Sequence, residues 1–322
     1  MDSRTARRAA IAAALLAAVA SVPAFARVAA ARVALGPLSI ADAPAGEIPA
    51  EGAPRQVGYA RAVERLQTAQ DVKRQLQWTR LPEGGAIAAV SVTSPGAAAV
   101  RAALRVGDLP PGAMLRFSAP GDTGAREVGA EAVLAALARN RDAGESGAAA
   151  RTYWSPIVAG DTIVVEVELP RGADPDAVAF TTPLVSHLTA RPADGGDSPQ
   201  AEALITTDGA SFACPGVLVG GAHDPGRYFL THERCVSTQA AASTLQAFWK
   251  DGGAVAQSGV GAALLYASFE TDTAFLLLDA PPAEAARLAR PVPDGSDPAL
   301  EQWTGRAASA GAVIPAATFS VP

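Results

Sequence analysis

A short stretch of the chain, residues 228–236 (YFLTHERCV), brings together side chains that can take part in acid–base chemistry. Its apolar first part predicts a buried strand that leads into His232, Arg234 and Cys235. A histidine close to a cysteine at the end of a buried strand is a place where an imidazole can act as general base. A guanidinium has no lone pair with which to accept a proton, so Arg234 cannot take that role. The stretch is therefore either a catalytic site or a site that has lost its base.

The N-terminus indicates the compartment in which this chemistry would operate. Arginines at positions 4, 7 and 8 precede the apolar residues 9–22, and Ala24 and Ala26 then have the spacing that signal peptidase prefers. We predict a signal peptide over residues 1–26 and a secreted or periplasmic protein, with a retained membrane anchor as the alternative. No later segment reaches about 18 uninterrupted apolar residues, so no membrane contact is expected beyond the signal peptide.

Export changes the interpretation of the two cysteines of the chain, Cys214 and Cys235. An oxidising compartment allows them to pair, and the loop closed in this way would stabilise the fold by roughly 3 kcal/mol. We predict a disulfide, and the alternative is a pair of free buried thiols.

The composition excludes several classes of function. Hydrophobic residues make up 49% of the 322 residues and charged residues 18%, which is sufficient for a packed core and too little charge for a disordered chain. The net charge is -6, and no basic block follows the first few residues. Because nucleic acid binding needs a concentrated positive surface, nucleic acid is not an expected partner.

The first half of the chain predicts mainly strands. Residues 27–55 are rich in Ala, Pro and Gly and are expected to be a flexible segment. Over residues 56–190, alternating apolar residues predict strands at 84–94, 99–106 and 162–169, and helical spacing predicts a helix over 126–144. On the strand at 99–106, Arg101 and Arg105 are expected on the polar face. These elements favour a β-sandwich-like domain.

The second half predicts a further β unit. Residues 191–202 have the composition of a linker, and residues 203–322 contain short strands separated by turns, with a short helix around 238–251. These strands are typical of part of a barrel. The fold class is therefore mainly β, with a sandwich-like domain followed by an incomplete barrel.

Several stretches of the second half resemble bacterial trypsin-like serine proteases of the lysyl endopeptidase type. The residues that carry the likeness are SFACPGVLVGG, RYFLTHERCV and DTAFLLLDAP, and they match the order of a Cys-Thr-Gly strand, a Phe-Leu-Thr-Ala-x-His-Cys strand and an Asp-x-x-Leu-Leu strand. Upstream, LRVGDLPPGAMLRF and YWSPIVAGDTIVVEVELPRG are similar to the secreted pro-region of that family. The resemblance covers about residues 57–283 and implies a pro-region followed by the first half of a chymotrypsin-fold protease domain.

The resemblance implies roles for individual residues. Asp272 matches the aspartate that orients the catalytic histidine, and Cys214 and Cys235 match the disulfide that pins the histidine loop. When the match is anchored on Cys235, Arg234 occupies the base position and His232 lies two residues earlier, where the family has a small alanine. Two residues of extended chain span about 6–7 Å, so His232 is retained only as the less favoured substitute base. We predict an ion pair between Arg234 and Asp272 in place of the usual histidine–aspartate contact.

The nucleophile of the family lies in a Gly-Asp-Ser-Gly turn, which the sequence does not contain. Ser296, in Asp-Gly-Ser-Asp, is the nearest mimic and is interpreted as a loop serine. We therefore expect a catalytically inactive homologue that serves as a binding or decoy module for a protease or another protein or peptide, or that is a truncated remnant. The alternative is an active serine endopeptidase that cleaves after Lys or Arg.

Other groups of polar residues predict no cofactor or metal. His223, His232 and Cys235 do not have the spacing of a zinc site, and Cys235 is better explained by the disulfide. Glu166 and Glu168 are expected to face solvent on a strand, and His187 is expected to be a hydrogen-bonded structural residue.

Overall fold

The computed structural model describes residues 28–37, 53–191, 201–220, 227–251, 254–281 and 290–291, and most of these residues lie in strands. The first twelve strands, β1 to β12, are Ala31–Ala34, Arg55–Ala62, Thr79–Arg80, Ala86–Thr93, Ala99–Asp108, Met114–Ser118, Arg126–Gly129, Thr152–Trp154, Val158–Ala159, Thr162–Leu169, Ala179–Thr181 and Leu184–Leu188. The remaining strands, β13 to β20, are Ala201–Thr207, Ala210–Gly220, Tyr228–Thr231, Gln246–Asp251, Ala254–Gln257, Ala262–Ser268, Thr273–Leu278 and Arg290–Pro291. The helices α1, α2 and α3 are Ala69–Gln75, Ala130–Asp142 and Gln239–Ala242.

The first sheet has the strand order β1-β4-β10-β6-β7, with β3 also paired to β4. The alternation predicted for residues 162–169 is confirmed by β10, where Ile163, Val165, Val167 and Leu169 are all buried. Their neighbours Glu166 and Glu168 lie on the opposite face, where both are in contact with Arg116. The period-2 pattern arises because successive side chains of a strand point to opposite faces of the sheet.

The second sheet packs against the first and continues into the rest of the chain. Its path is β11-β5-β12-β2-β14-β13-β16-β17, and a branch from β14 runs through β15 and β19 to β18. Apolar side chains of β5 and β12 share one core with those of β4, β6 and β10, so the first half is sandwich-like as predicted. The mainly β fold class is confirmed.

Strands β13 to β19 surround a second core, which contains Phe229, Trp249 and Leu276. Within the described residues these strands do not close into a barrel, because β17 and β18 are each paired on one side only. The expectation of an incomplete barrel is consistent with this topology. No described helix has the length and apolar character needed to cross a membrane.

Three local predictions differ from the structure. The segment 27–55 contains β1, which pairs in parallel with β4, so this part has regular structure. The helix predicted over 126–144 begins only at Ala130, because residues 126–129 pair with β6 as β7. The helix predicted around 238–251 is limited to the short α3, because Gln246–Asp251 pair with β13 and β17. In each case pairing with a distant strand outweighed the local pattern.

The prediction that Arg101 lies on a solvent-facing side of its strand is also wrong. Arg105 is exposed on β5, but Arg101 is fully buried. The face of β5 that was expected to meet solvent is covered at Arg101 by residues of the second half of the chain, which accept hydrogen bonds from its guanidinium. The predicted signal peptide and residues 192–200 of the predicted linker lie outside the described residues, whereas Ala201 and Glu202 belong to β13.

His187 on β12 has the structural role expected from the sequence. Its Nδ1 atom lies 2.9 Å from Ser94 Oγ, which itself accepts a hydrogen bond of 3.0 Å from Arg61. The hydroxyl of Ser94 thus links the imidazole to Arg61 within the protein interior. Burial, and secondly the charge of Arg61, lowers the pKa of His187.

Stability should therefore fall at mildly acidic pH. Because the folded pKa of His187 is lowered, its contribution is fully present above the unfolded pKa of about 6.5 and is lost as the pH decreases below it. Urea unfolding between pH 7.5 and 5 should show this decrease, and His187→Gln, which keeps a hydrogen-bond acceptor without titrating, should reduce it. An unchanged pH dependence in His187→Gln would contradict the assignment, and His232→Gln serves as the control.

Candidate active site

The turn after β15 positions two of the predicted site residues. The backbone N–H groups of Cys235 and Val236 both donate to the carbonyl of His232, at 3.1 and 3.2 Å, so the chain curls back on itself immediately after the strand. A disulfide joins Cys235 to Cys214 on β14, which confirms the predicted pairing. The turn is therefore tied to the neighbouring strand at its far end.

The neighbouring strand β14 approaches β15 closely because it has a glycine at position 216. A Cβ atom at Gly216 would lie 2.3 Å from the ring of Phe229 and 2.8 Å from the carbonyl oxygen of Leu230. Thr231 extends the contact by donating from Oγ1 to the carbonyl of Pro215 at 2.7 Å. The glycine of the Cys-Pro-Gly sequence thus lets β14 pack against β15 with no intervening side chain.

Gly216→Ala is expected to destabilise the protein by about 1–3 kcal/mol, because the methyl group must displace a buried ring and a backbone carbonyl. The free energy of unfolding in urea measures this effect. Gly36→Ala is the matched control, since a Cβ atom at Gly36 has no neighbour within 4 Å. Equal losses in the two variants would contradict the packing argument.

Asp272 reaches the site from the turn between β18 and β19. Its backbone has a φ of 47°, in the left-handed region that aspartate tolerates better than most residues. Its N–H lies 3.3 Å from the carbonyl of Phe269, and β19 starts at the next residue and pairs with β15. This pairing brings the start of β19 beside the end of β15 and so places the carboxylate next to the His232 turn.

Asp272 binds both predicted candidates for the base position. Its Oδ2 atom lies 2.8 Å from Arg234 Nη2 and 3.0 Å from His232 Nδ1, and its Oδ1 atom accepts from the Arg234 backbone N–H at 3.2 Å. The three side chains are partly exposed, Arg234 most and His232 least. The ion pair predicted between Arg234 and Asp272 is therefore present.

The contact of His232 with Asp272 was not expected from the sequence. The estimate of two residues of separation assumed extended chain, but the turn at 232–236 brings both side chains to the same carboxylate. An ionised carboxylate only accepts hydrogen bonds, so Nδ1 of His232 donates and the lone pair of a neutral imidazole is on Nε2. This is the tautomer that a histidine general base requires.

Arg234 changes what this pair can do. In a triad, the carboxylate stabilises the positive charge that forms on the imidazole when it takes a proton. Here the guanidinium shares the same Oδ2 atom and supplies a permanent positive charge beside the ring. Asp272 therefore orients the imidazole and the guanidinium through one shared oxygen atom, instead of orienting a histidine alone. Ser296 and His223 lie outside the described residues.

Comparison with known proteins found two matches. Residues 30–189 match the family described as Lysyl endopeptidase N-terminal domain. A lysyl endopeptidase of Pseudomonas aeruginosa is 27% identical over 237 residues, which cover 62% of this chain and 47% of the relative. This chain, called the homologue from here on, is similar to part of a lysyl endopeptidase. The homologue spans about half the length of that relative, and no solved structure matches it.

The match to the relative covers more of the homologue than residues 30–189 provide, so it extends beyond the N-terminal domain. The homologue thus resembles a lysyl endopeptidase in sequence beyond its N-terminal domain, and its fold is mainly β. Sequence reasoning singled out Asp272, Arg234 and His232, and the structure brings these three together. It missed the buried Arg101, because an arginine on an alternating strand is an ordinary sign of a solvent-facing position.

Proposed function

We propose that the homologue is an exported protein that does not hydrolyse peptides and acts by binding another protein. The observation that supports this most directly is the contact of 2.8 Å between Arg234 and Asp272 Oδ2. The guanidinium occupies a carboxylate oxygen that orients the base in a triad, and it cannot itself accept a proton.

A second candidate function is serine-type endopeptidase activity after Lys or Arg. The observation that favours it is the hydrogen bond of 3.0 Å between His232 Nδ1 and Asp272 Oδ2, which prepares Nε2 for proton transfer. In this alternative His232 is the general base and Asp272 orients it, while Arg234 acts as a neighbouring cation.

Hydrolysis assays distinguish the two functions. Purified protein is incubated with chromogenic lysyl and arginyl amides, and we expect no hydrolysis above that of the His232→Ala variant. Arg234→Ala is expected to remain equally inactive. Hydrolysis that is lost in His232→Ala and retained in the matched control Glu233→Gln would overturn the proposal and support the endopeptidase alternative.

An exposed apolar surface next to Asp272 supports a role in binding. Phe269, in the turn between β18 and β19, is 87% exposed, and Leu265 on β18 is half exposed. Among the described residues, strand β18 is paired only with β19, so its other edge has backbone groups to offer a partner. Apolar side chains beside an open strand edge are typical of protein interaction sites.

A protease of the lysyl endopeptidase type is the partner that we propose, because a domain similar to a protease pro-region can engage an active relative. Immobilised homologue is expected to capture purified lysyl endopeptidase, and Phe269→Ser should weaken capture if the surface beside Asp272 takes part. Leu134→Ser on α2 is the control, since Leu134 is also exposed but lies on another element. Absence of capture by the unmodified protein would exclude this partner.

A further inference from the structure

The interface between the two halves of the chain contains more specific contacts than a removable segment requires. We propose that residues 55–189, here called the N-terminal half, and residues 201–281, the C-terminal half, form a permanent unit that stays together when the linker between them is cut. The inference is independent of the proposed function, because it does not depend on whether Asp272 supports catalysis.

Backbone pairing joins the two halves. Strand β2 of the N-terminal half pairs with β14 of the C-terminal half at Gly58 with Ser211, at Gln56 with Phe212 and at Arg55 with Ala213. The other edge of β2 is held by β12, so one sheet runs without a break from the N-terminal half into the C-terminal half. Release of the N-terminal half would expose this edge of β14 and leave its backbone groups without their partners.

Arg101 is the central contact between the halves. Its side chain is fully buried and donates to the carbonyl of Ser155 within the N-terminal half at 2.7 Å. It also donates across the interface to Thr206 Oγ1 at 2.8 Å and to the carbonyl of Thr244 at 2.9 Å. Among the described residues no carboxylate contacts it, so its charge is satisfied entirely by neutral oxygens, two of which belong to the C-terminal half. Separation would break two of the three hydrogen bonds of this guanidinium and would open the surrounding interface to water.

A chain of hydroxyl groups extends from this contact. Thr206 Oγ1 lies 2.8 Å from Ser211 Oγ, which lies 2.7 Å from Ser186 Oγ on β12. All three residues are buried, and the chain returns to the N-terminal half at Ser186. Because each hydroxyl satisfies the next, the network is complete only when both halves are present.

Further polar contacts cross the interface over its whole length. One group of contacts joins α2 and the segment after it to the region of α3 and to the end of β19. A second group joins β2 to β13 and joins the segment before β9 to β16. These contacts are Asn140 with Ser243, Arg139 with Asp279 at 2.6 Å, Glu145 with the Ala240 N–H at 3.1 Å, Arg55 with Glu202 at 2.9 Å, and the Ile157 N–H with Gln246 at 2.9 Å.

Apolar packing is shared in the same way. One buried cluster combines Val57, Ala99 and Leu188 of the N-terminal half with Leu204, Ala213 and Phe248 of the C-terminal half. Neither half completes this cluster by itself. The interface therefore has the mixed apolar and hydrogen-bonded character of a protein interior, rather than that of a weak contact between domains.

Cutting the linker provides a direct test. Both cysteines lie in the C-terminal half, so the only covalent connection between the halves is the chain through residues 192–200. Residues 193–198 are replaced by a recognition sequence for a site-specific protease, the full chain is purified with an N-terminal tag, and it is then cut. We expect both fragments to remain bound to the affinity resin and to elute together in gel filtration, and to separate only in denaturant. Folded fragments that elute separately would overturn the proposal.

Variants test whether the buried guanidinium is responsible. In the cut protein at about 10 nM, where a tight interface stays associated, Arg101→Met is expected to weaken the association of the fragments on the order of 100-fold. Arg105→Met is the matched control from the same strand, and it should leave association unchanged because Arg105 is exposed. If Arg101→Met does not fold, Asn140→Ala together with Arg139→Ala replaces it and should increase dissociation of the cut protein. Association that is unaffected by every one of these variants would contradict the assigned contacts.

Discussion

Arg101→Met should lower the free energy of unfolding of the intact protein by about 3 kcal/mol. The substitution leaves the carbonyls of Ser155 and Thr244 without a donor and removes one partner of Thr206. An unsatisfied buried acceptor costs about 1–3 kcal/mol, and the loss of a fully buried cation offsets part of this cost. Burial lowers the pKa of Arg101 to about 9, so the guanidinium is still charged at neutral pH and its desolvation is a real cost. We expect the lost hydrogen bonds to outweigh the recovered desolvation.

Urea unfolding at pH 7, followed by circular dichroism, measures this loss. Arg105→Met removes the same side chain from an exposed position on the same strand and should change stability by no more than about 0.5 kcal/mol. If Arg101→Met is as stable as the unmodified protein, the desolvation cost of the guanidinium equals the value of its hydrogen bonds. The central contact between the halves would then not contribute to stability.

Removal of the disulfide should have an effect of similar size. The bond between Cys214 and Cys235 closes a loop with a sequence separation of 21 residues, and Cys214→Ala with Cys235→Ala should lower the free energy of unfolding by about 3 kcal/mol. The same loss is expected when dithiothreitol reduces the unmodified protein. The double alanine variant should not respond to dithiothreitol, and this insensitivity controls for effects of the reagent on other groups.

The disulfide prediction also has a consequence at the site. The bond ties the turn of His232 and Arg234 to β14, so its loss should loosen the contacts of both residues with Asp272. Acylation of His232 by diethyl pyrocarbonate is expected to become faster in the double alanine variant, with His232→Gln identifying the modified residue. An unchanged rate, together with the expected loss of stability, would show that β-sheet pairing alone holds the turn.

Local patterns predicted the strands well where one face of the strand is apolar and the other polar. Strand β10 is the clearest example, since its alternation over residues 162–169 needs no information about its neighbours. The stretch 238–251 shows the limit of such patterns. Its Ala-rich start forms α3, but Phe248 and Trp249 are in β16 because strands β13 and β17 are available on either side. A partner strand that is distant in sequence is not encoded in the local periodicity.

At the candidate site, too, the sequence predicted some features and the backbone path decided others. The sequence predicted the disulfide and the ion pair of Arg234 with Asp272, because these depend on residue types and their order along the chain. The position of His232 depended on the backbone path. A turn at 232–236 shortens the distance that an extended chain would span, and it lets two residues share one carboxylate oxygen.

The sequence by itself therefore determined the β-rich class, the pairing of the two cysteines and the three residues of the candidate site. Only the tertiary structure decided that Arg101 is buried at the interface of the two halves and that His232 shares the carboxylate of Asp272 with Arg234. The physical reason is that alternation and motif order are properties of neighbouring residues in the chain. Burial of a charge and the sharing of an acceptor depend on which distant segments pack over it.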